Sequence, residues 1–242
     1  MHTVGVDVRA LDPLDLDWVV EVTRARREAL TPHAPRFWRP AVDATERHRD
    51  HLGHLIEDPA TLGVRTEHGY LLALDRGDHL LVDDFVVTAD EHWPTEGVAL
   101  LGRVRLRPGR LRVVVPAAER ARLEAVEDVG LTRVETWWHR DLDGVEVLPS
   151  ADGDEGAEVE VDGARGVLRP APPVYDPGGP VLLVTELEST DALARIEEVA
   201  AARGARVSVV STVRSADRDV ATLLQCAGYV VTTHFCESST SA

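Results

Sequence analysis

Runs of apolar residues separated by short polar stretches divide this chain into strands and amphipathic helices. The stretch from Leu81 to Val104 (LVDDFVVTADEHWPTEGVALLGRV) organises the rest. Its apolar start, Leu81–Val87, predicts a buried strand; a polar loop follows, and the pattern after Gly97 predicts a helix that opens there. Because the first N–H groups of a helix are free and its dipole favours negative charge, this turn is a general kind of anion site.

The residues before this stretch predict a strand, two helices and a strand pair. Alternation in Val4–Ala10 indicates the first strand. Asp12-Pro13-Leu14-Asp15 has an Asp cap and an early Pro, and Asp43-Ala44-Thr45-Glu46 has a capping-box pattern, so each predicts a helix start. Thr61–Arg65 and Tyr70–Leu74 then predict two strands joined by a turn.

Two later segments share a strand-helix-strand pattern and predict an internal duplication. Gly130 and Gly228 each end a predicted helix, 98 residues apart, and the apolar strands Leu111–Val115 and Val207–Ser211 correspond at an offset of 96. The second segment begins with an apolar strand at Val181–Glu186 and a helix capped by Ser189-Thr190-Asp191. Trp137 and Phe235 close the two segments and are expected in the core or between the copies.

Composition restricts the classes of function. The chain has 242 residues and a net charge of −16, and all 26 of its basic residues are arginine. Such an acidic chain does not favour a broad nucleic-acid interface, because phosphate binding needs the opposite charge. No apolar run approaches ~20 residues, and the N-terminal sequence lacks the pattern of a secretion signal. We therefore expect a cytoplasmic protein without membrane or nucleic-acid partners.

The N-terminal half has the predicted order β-α-α-β-β-β-α-β-α-β. With these residues, that order resembles the GNAT superfamily of acyl-CoA-dependent N-acetyltransferases. The similar segments are Val8–Leu16 (first strand and helix), Val82–Val87 (fourth strand), Gly97–Leu101 (the end of the CoA pyrophosphate loop and the helix after it), and the helix ends Val129-Gly130-Leu131 and Ala227-Gly228-Tyr229.

The resemblance implies an α/β fold with a mixed sheet and an internal duplication. It places a complete GNAT-like domain in residues 1–145, a linker and hairpin in 146–180, and a degenerate GNAT-like half-domain in 181–242. Within 146–180, Ser150–Gly156 has the composition of a linker, and Glu158–Leu168 predicts a hairpin. The sequence leaves open whether the protein is a monomer or a homodimer.

The resemblance also implies that acetyl-CoA or another acyl-CoA binds at the turn after the fourth strand, for transfer to a small amine. The residues implied in cofactor binding are Val86, Val87, Thr95, Gly97, Val98, Ala99 and Leu100. Two residues depart from the family pattern: Pro94 stands where the loop has Gln or Arg, and Glu96 adds an acid. The tyrosine acid frequent in the family is replaced by Val126 and Leu224.

Candidate catalytic residues are Asp84, Asp83 and His92. The two aspartates point to opposite faces of the predicted strand, so one of them can face the cleft, where burial would raise its pKa as a general base requires. The alternative for Asp84 is a hydrogen bond to a neighbouring loop. His92 lies in the polar loop, where an ordinary exposed histidine is the alternative.

Two further groups have structural interpretations. His48, His51 and His54 lie on one predicted helix, but at ~100° per residue they do not converge on one point. We therefore expect no metal site there and a half-buried His48 instead. Phe37 and Trp38 either fill the core beneath their loop or line a pocket. A non-catalytic GNAT-like binding or scaffold protein is the competing functional class, favoured by Pro94, Glu96 and the absent tyrosine.

Overall fold

A computed structural model of the chain describes residues 5–142, 156–213 and 218–238. The helices are α1 Leu16–Leu30, α2 Ala44–Glu57, α3 Val98–Val104, α4 Arg120–Asp128, α5 Thr190–Ala202 and α6 Arg218–Cys226. The strands are β1 Arg9–Ala10, β2 Leu62–Arg65, β3 Gly69–Asp75, β4 His79–Val87, β5 Arg110–Pro116, β6 Leu131–Asp141, β7 Glu158–Val161, β8 Ala164–Arg169, β9 Val181–Leu187, β10 Val207–Val213 and β11 Val230–Ser238.

The described chain forms two compact units that are each discontinuous in sequence. Unit 1 contains residues 5–29, 45–134 and 233–238; unit 2 contains residues 30–44, 135–142, 156–213 and 218–232. The two units therefore do not coincide with the continuous segments 1–145, 146–180 and 181–242 that the sequence suggests as domains. The predicted linker falls almost entirely in residues 143–155, which lie outside the described residues.

Unit 1 is a mixed sheet with helices on both faces. Its strand order is β1-β2-β3-β4-β5-β11, with β4 and β5 parallel and the other pairs antiparallel. Alternate residues of β3 face opposite sides of the sheet: Tyr70 and Leu72 pack with α1 and α2, while Leu71 and Ala73 pack in the cluster that includes residues of α3 and α4. Of the predicted first strand, Val4–Ala10, the described residues 5–10 form a strand only at Arg9–Ala10, and Val4 lies outside the described residues.

Unit 2 repeats the strand pattern of unit 1. Its order is β6-β10-β9-β8-β7, with β9 and β10 parallel and the other pairs antiparallel. Residues of α5 and α6 lie in one of its hydrophobic clusters, as residues of α3 and α4 do in unit 1. This correspondence confirms the internal duplication. The hairpin β7–β8 pairs with β9 and is the counterpart of β2–β3, so the second copy begins before residue 181.

The second copy has no counterparts of α1 and α2 in the described chain, and a segment of 15 residues packs in their place. Phe37 and Trp38, from residues 30–44, are buried against Val181, Val207 and Val209. Of the two alternatives for this aromatic pair, the structure shows the position in a core. In the part of the chain that the structure describes, no helix is long and apolar enough to cross a membrane.

The final strands of the two copies are exchanged between the units. β6 follows α4 of unit 1, yet from Glu135 onward it pairs with β10 of unit 2. β11 follows α6 of unit 2, yet from Thr233 onward it pairs with β5 of unit 1. The C-terminal part of the chain thus completes the N-terminal sheet.

Candidate functional site

The parallel strands β4 and β5 pair over only part of their length. The paired residues run from His79 opposite Arg110 to Val82 opposite Val113. Beyond this point β4 continues to Val87 and β5 to Pro116 without pairing to each other. The carboxyl ends of neighbouring parallel strands are a general place for ligands in open α/β sheets, so this gap is the candidate site.

A buried arginine from α4 occupies the gap. Arg122 is 0% exposed and donates from Nη1 to the carbonyl oxygen of Phe85, at 2.8 Å, and from Nη2 to that of Asp83, at 3.3 Å. Nη2 also donates to the carbonyl oxygen of Val114 on β5. One guanidinium therefore donates hydrogen bonds to carbonyl groups of both strands in the region where the strands no longer pair with each other.

Carboxylate and aromatic groups hold Arg122 in place. Its Nη1 lies 3.0 Å from Glu119 Oε2, and Glu119 also receives a 2.6 Å hydrogen bond from Arg26 Nε. The guanidinium lies over the rings of Phe85, at 5.1 Å, and Trp93, at 6.0 Å. Burial, followed by the positive charge of Arg26, lowers the pKa of Arg122 to about 10, so the group remains cationic at neutral pH.

The two aspartates of β4 have different surroundings. Asp83 is exposed, whereas Asp84 is half-buried, as the alternation of a strand predicts. Burial, followed by the neighbouring charge of Asp83, raises the pKa of Asp84 to about 7, although Arg26 and Arg122 oppose the shift. This is the pKa expected of a general base, and the catalytic role of Asp84 and Asp83 stays a prediction.

The turn after β4 differs from its predicted form. Helical structure begins at Asp90, with a 3-10 turn at Asp90–His92 and a π-helical turn at Trp93–Gly97 that leads into α3. The α-helix α3 itself begins at Val98 with Gly97 as its N-cap, as predicted, but the segment before it is helical and not an open loop. The N–H of Val98 donates to the carbonyl oxygens of Trp93 and Thr95, so it is not free to bind an anion.

The reason for a glycine at position 97 is the side chain of Trp93. A Cβ atom on Gly97 would lie 2.5 Å from the Trp93 ring, and Trp93 in turn packs edge-on against Phe85, with ring centroids 4.7 Å apart. Gly97 has ordinary helical dihedral angles, φ −60° and ψ −45°. Close packing against the Trp93 ring therefore requires a glycine at this position.

The other predicted cofactor residues lie in and around this turn. Val86, Val87, Gly97 and Leu100 are buried, Val98 and Ala99 are half-buried, and Thr95 is exposed. Their role in binding a cofactor stays a prediction.

Glu96 joins the turn to the loop between β2 and β3. Its Oε2 accepts a 2.9 Å hydrogen bond from the His68 N–H, and its Oε1 lies 2.7 Å from His68 Nδ1. The ring of His92 stacks on that of His68, with centroids 4.0 Å apart and planes 8° apart. Burial raises the pKa of Glu96, but hydrogen bonds from Thr66 and His68 outweigh it and hold the pKa below its usual value.

Sequence reasoning noticed His92 and Glu96 separately and missed their association with His68. His68 comes from a loop 28 residues before Glu96, and no local pattern connects the two positions. The hydrogen bond that the His68 ring donates to the Glu96 carboxylate raises the pKa of His68. The three side chains form one cluster on the surface of unit 1.

The histidines of α2 do not form such a cluster. Arg27 Nη1 lies 2.6 Å from Nδ1 of the half-buried His48, while His51 and His54 are exposed. Burial, followed by the charge of Arg27, lowers the pKa of His48 to about 4. His48 therefore has a structural role in contact with Arg27, as its position on the helix face of the buried Leu52 predicts.

Known proteins resemble this chain in fold but not in sequence. No family model and no curated protein matches it. A GCN5-related N-acetyltransferase from Sphaerobacter thermophilus is 16% identical, with a TM-score of 0.55 over 96% of this chain and 95% of that one. A proposed acetyltransferase from Thermoplasma acidophilum is 13% identical, with a TM-score of 0.57 over 96% of this chain and 99% of that one. The chain therefore has the fold of these two acetyltransferase structures.

Proposed function

We propose that this protein is a GNAT-fold binding protein whose N-terminal unit does not accept the acyl arm of CoA. The observation that supports this proposal is the position of Arg122, whose guanidinium fills the gap at the carboxyl ends of β4 and β5. A cofactor arm in that gap would have to displace a fully buried cation from three carbonyl groups. Removing such a partner from a buried network costs about 3–5 kcal/mol.

The turn after β4 supports the same proposal. Pyrophosphate binding at a helix start needs free N–H groups and favours the positive end of the dipole. Here the N–H of Val98 is bonded within the helical turn, and the carboxylate of Glu96 adds negative charge beside it. The residues present therefore do not fit a CoA pyrophosphate at this position.

A second candidate function is acyl-CoA-dependent N-acetyl transfer to a small amine, and Asp84 is the observation that favours it. A half-buried carboxylate with a pKa raised to about 7 is suited to accept the proton that an amine loses. This function requires Arg122 to leave the gap when the cofactor enters.

Calorimetric titration of the full chain with acetyl-CoA distinguishes the two functions. The binding-protein proposal expects no saturable heat up to about 1 mM acetyl-CoA. Binding with a Kd below about 100 µM would overturn it. In that event, acetyl transfer to small amines should be measured for the wild type and for Asp84→Asn. Activity lost in Asp84→Asn but kept in the matched variant Asp90→Asn, which changes an exposed acid, would establish the second candidate.

A further inference from the structure

We propose that His68, His92 and Glu96 form a binding site for a divalent transition-metal ion, with zinc as the preferred ion. One potential ligand atom from each residue lies within 4.8 Å of the others. Two imidazoles and one carboxylate are a common donor set for zinc, which is usually tetrahedral and takes nitrogen and oxygen ligands. The site lies in unit 1, and the inference does not depend on the proposed function.

The carboxylate is held in position before any ion binds. Glu96 is 8% exposed, and the backbone N–H of His68 donates to its Oε2 at 2.9 Å. This leaves Oε1 directed at the two imidazoles: His68 Nδ1 lies 2.7 Å from it and His92 Nδ1 lies 4.0 Å from it. Outer hydrogen bonds of this type orient the ligands of metal sites.

The spacing is close to that of a tetrahedral zinc site. Bond lengths of about 2.0–2.2 Å place two ligand atoms about 3.3 Å apart. The distance from Glu96 Oε1 to His68 Nδ1 is shorter than this value and that to His92 Nδ1 is longer, so each must change by less than 1 Å. The rings must also turn out of their parallel stack so that both lone pairs meet at one point. Their side chains are 36% and 32% exposed, which leaves room for this rotation.

The surroundings supply negative charge and an approach from solvent. Glu67 Oε1 lies 4.0 Å from His68 Nε2, the ring nitrogen on the side away from Glu96, so this exposed carboxylate adds negative charge beside the site. A pocket of about 450 Å³ is lined in part by Glu67, Glu96 and Asp7. Its two arginines, Arg9 and Arg65, are both paired with Asp15.

This inference explains the acid at position 96, one of the two residues that depart from the GNAT pattern at this turn. An acid at position 96 is unfavourable beside a pyrophosphate but suitable as a ligand for a cation. The turn that the sequence predicts as an anion site thus has the side chains of a cation site.

The test is calorimetric titration of the untagged, chelator-treated full chain with zinc chloride. We expect one zinc ion per chain and a loss of affinity of about 100-fold or more for His92→Ala and for Glu96→Gln. The matched control is His54→Ala, which removes an exposed histidine of α2 and is expected to leave the affinity unchanged. Equal zinc binding by the wild type, His92→Ala and Glu96→Gln would overturn the proposal, as would the absence of zinc binding.

A cobalt spectrum keeps the test independent of folding defects in the variants. Cobalt(II) added to the wild-type chain is expected to give the strong visible absorption of a tetrahedral site, and zinc is expected to displace it. An octahedral spectrum identical to that of cobalt in buffer would contradict the proposed site.

Discussion

The two units contain the same parallel strand pair, but they fill the space at its carboxyl end differently. In unit 1, pairing stops after Val82 and Val113, and the buried Arg122 bonds to the separated strands. In unit 2, pairing between β9 and β10 stops after Val184 and Val210. The residue 98 positions after Arg122 is Val220, which packs against the apolar cluster of that unit. One copy retains charged groups at this position, and the other has an apolar side chain.

The strand-to-helix connections differ in the same sense. Ten residues, 88–97, separate β4 from α3, whereas two residues, 188–189, separate β9 from α5. The short connection is a simple helix start, in which Ser189 Oγ accepts from the Ala192 N–H. The long connection carries His92 and Glu96. The two copies therefore differ in the length of this connection and in the residue at one position of the later helix, which is Arg122 on α4 and Val220 on α6.

The largest expected effect comes from Arg122→Ala. This change leaves three carbonyl groups without their donor and should lower the free energy of unfolding by about 3–5 kcal/mol. Val220→Ala, at the corresponding position of unit 2, should cost about 1 kcal/mol, because it removes only partly buried methyl groups. Urea unfolding followed by circular dichroism measures both, and Arg120→Ala on the exposed face of α4 is the control. Similar losses for Arg122→Ala and Val220→Ala would remove the distinction between the units.

The second prediction concerns the pH dependence that Asp84 gives to unit 1. Its pKa is raised from 3.8 to about 7 by folding. The protonated form therefore stabilises the fold fully below pH 3.8, and this contribution is lost as the pH rises to about 7. Asp84→Asn should be more stable than the wild type at pH 8 by roughly 2–4 kcal/mol, with the difference vanishing near pH 4.

Urea unfolding of the Asp84 variant at several pH values measures this difference. Glu186→Gln provides the comparison in unit 2, because Glu186 is the second residue after the last paired position of β9 and is exposed. It should change the stability little at any pH. A constant difference between Asp84→Asn and the wild type from pH 4 to 8 would contradict the raised pKa.

The smallest expected changes in stability concern the capping residues of the two helix starts, Ser189 and Ala89. Ser189→Ala removes the side-chain cap of α5 and should cost about 1 kcal/mol. Ala89 has the extended backbone of a cap residue but no side chain to accept a hydrogen bond, so Ala89→Ser should stabilise the chain by about 0.5 kcal/mol. Thermal unfolding measures both. A destabilising Ala89→Ser would show that the turn at Asp90–His92 does not behave as a helix start.

The features that the sequence predicts well are those set by neighbouring residues. Asp12 caps the first helical turn by accepting from the Leu14 N–H, and Ser189 caps α5, as their patterns predict. The central strands and the duplication also follow from local apolar patterns and repeated helix ends. These features depend on spacing within a few residues, which a single sequence contains.

The features that the sequence does not predict depend on distant contacts. Gly97 resembles a phosphate-loop glycine, but its surroundings are set by the ring of Trp93. Arg122 lies in a helix with many polar residues, so its pattern suggests a solvated side chain; only the separation of β4 and β5 gives it a buried place. His68 and Glu96 meet because the β2–β3 loop lies beside the turn after β4. Each of these contacts requires the tertiary structure.

The exchange of the final strands has a consequence for protein synthesis. β5 of unit 1 pairs with β11, so one edge of β5 lacks this partner until Thr233–Ser238 has been translated. Ser238, the last residue of that segment, lies 97 residues after Asp141, the end of β6. Translation of this stretch takes about 5–20 s at ordinary elongation rates. An unpaired strand edge is a site for aggregation. Until then the N-terminal sheet has an unpaired edge at β5, and termination before Thr233 would release an N-terminal unit with an open sheet.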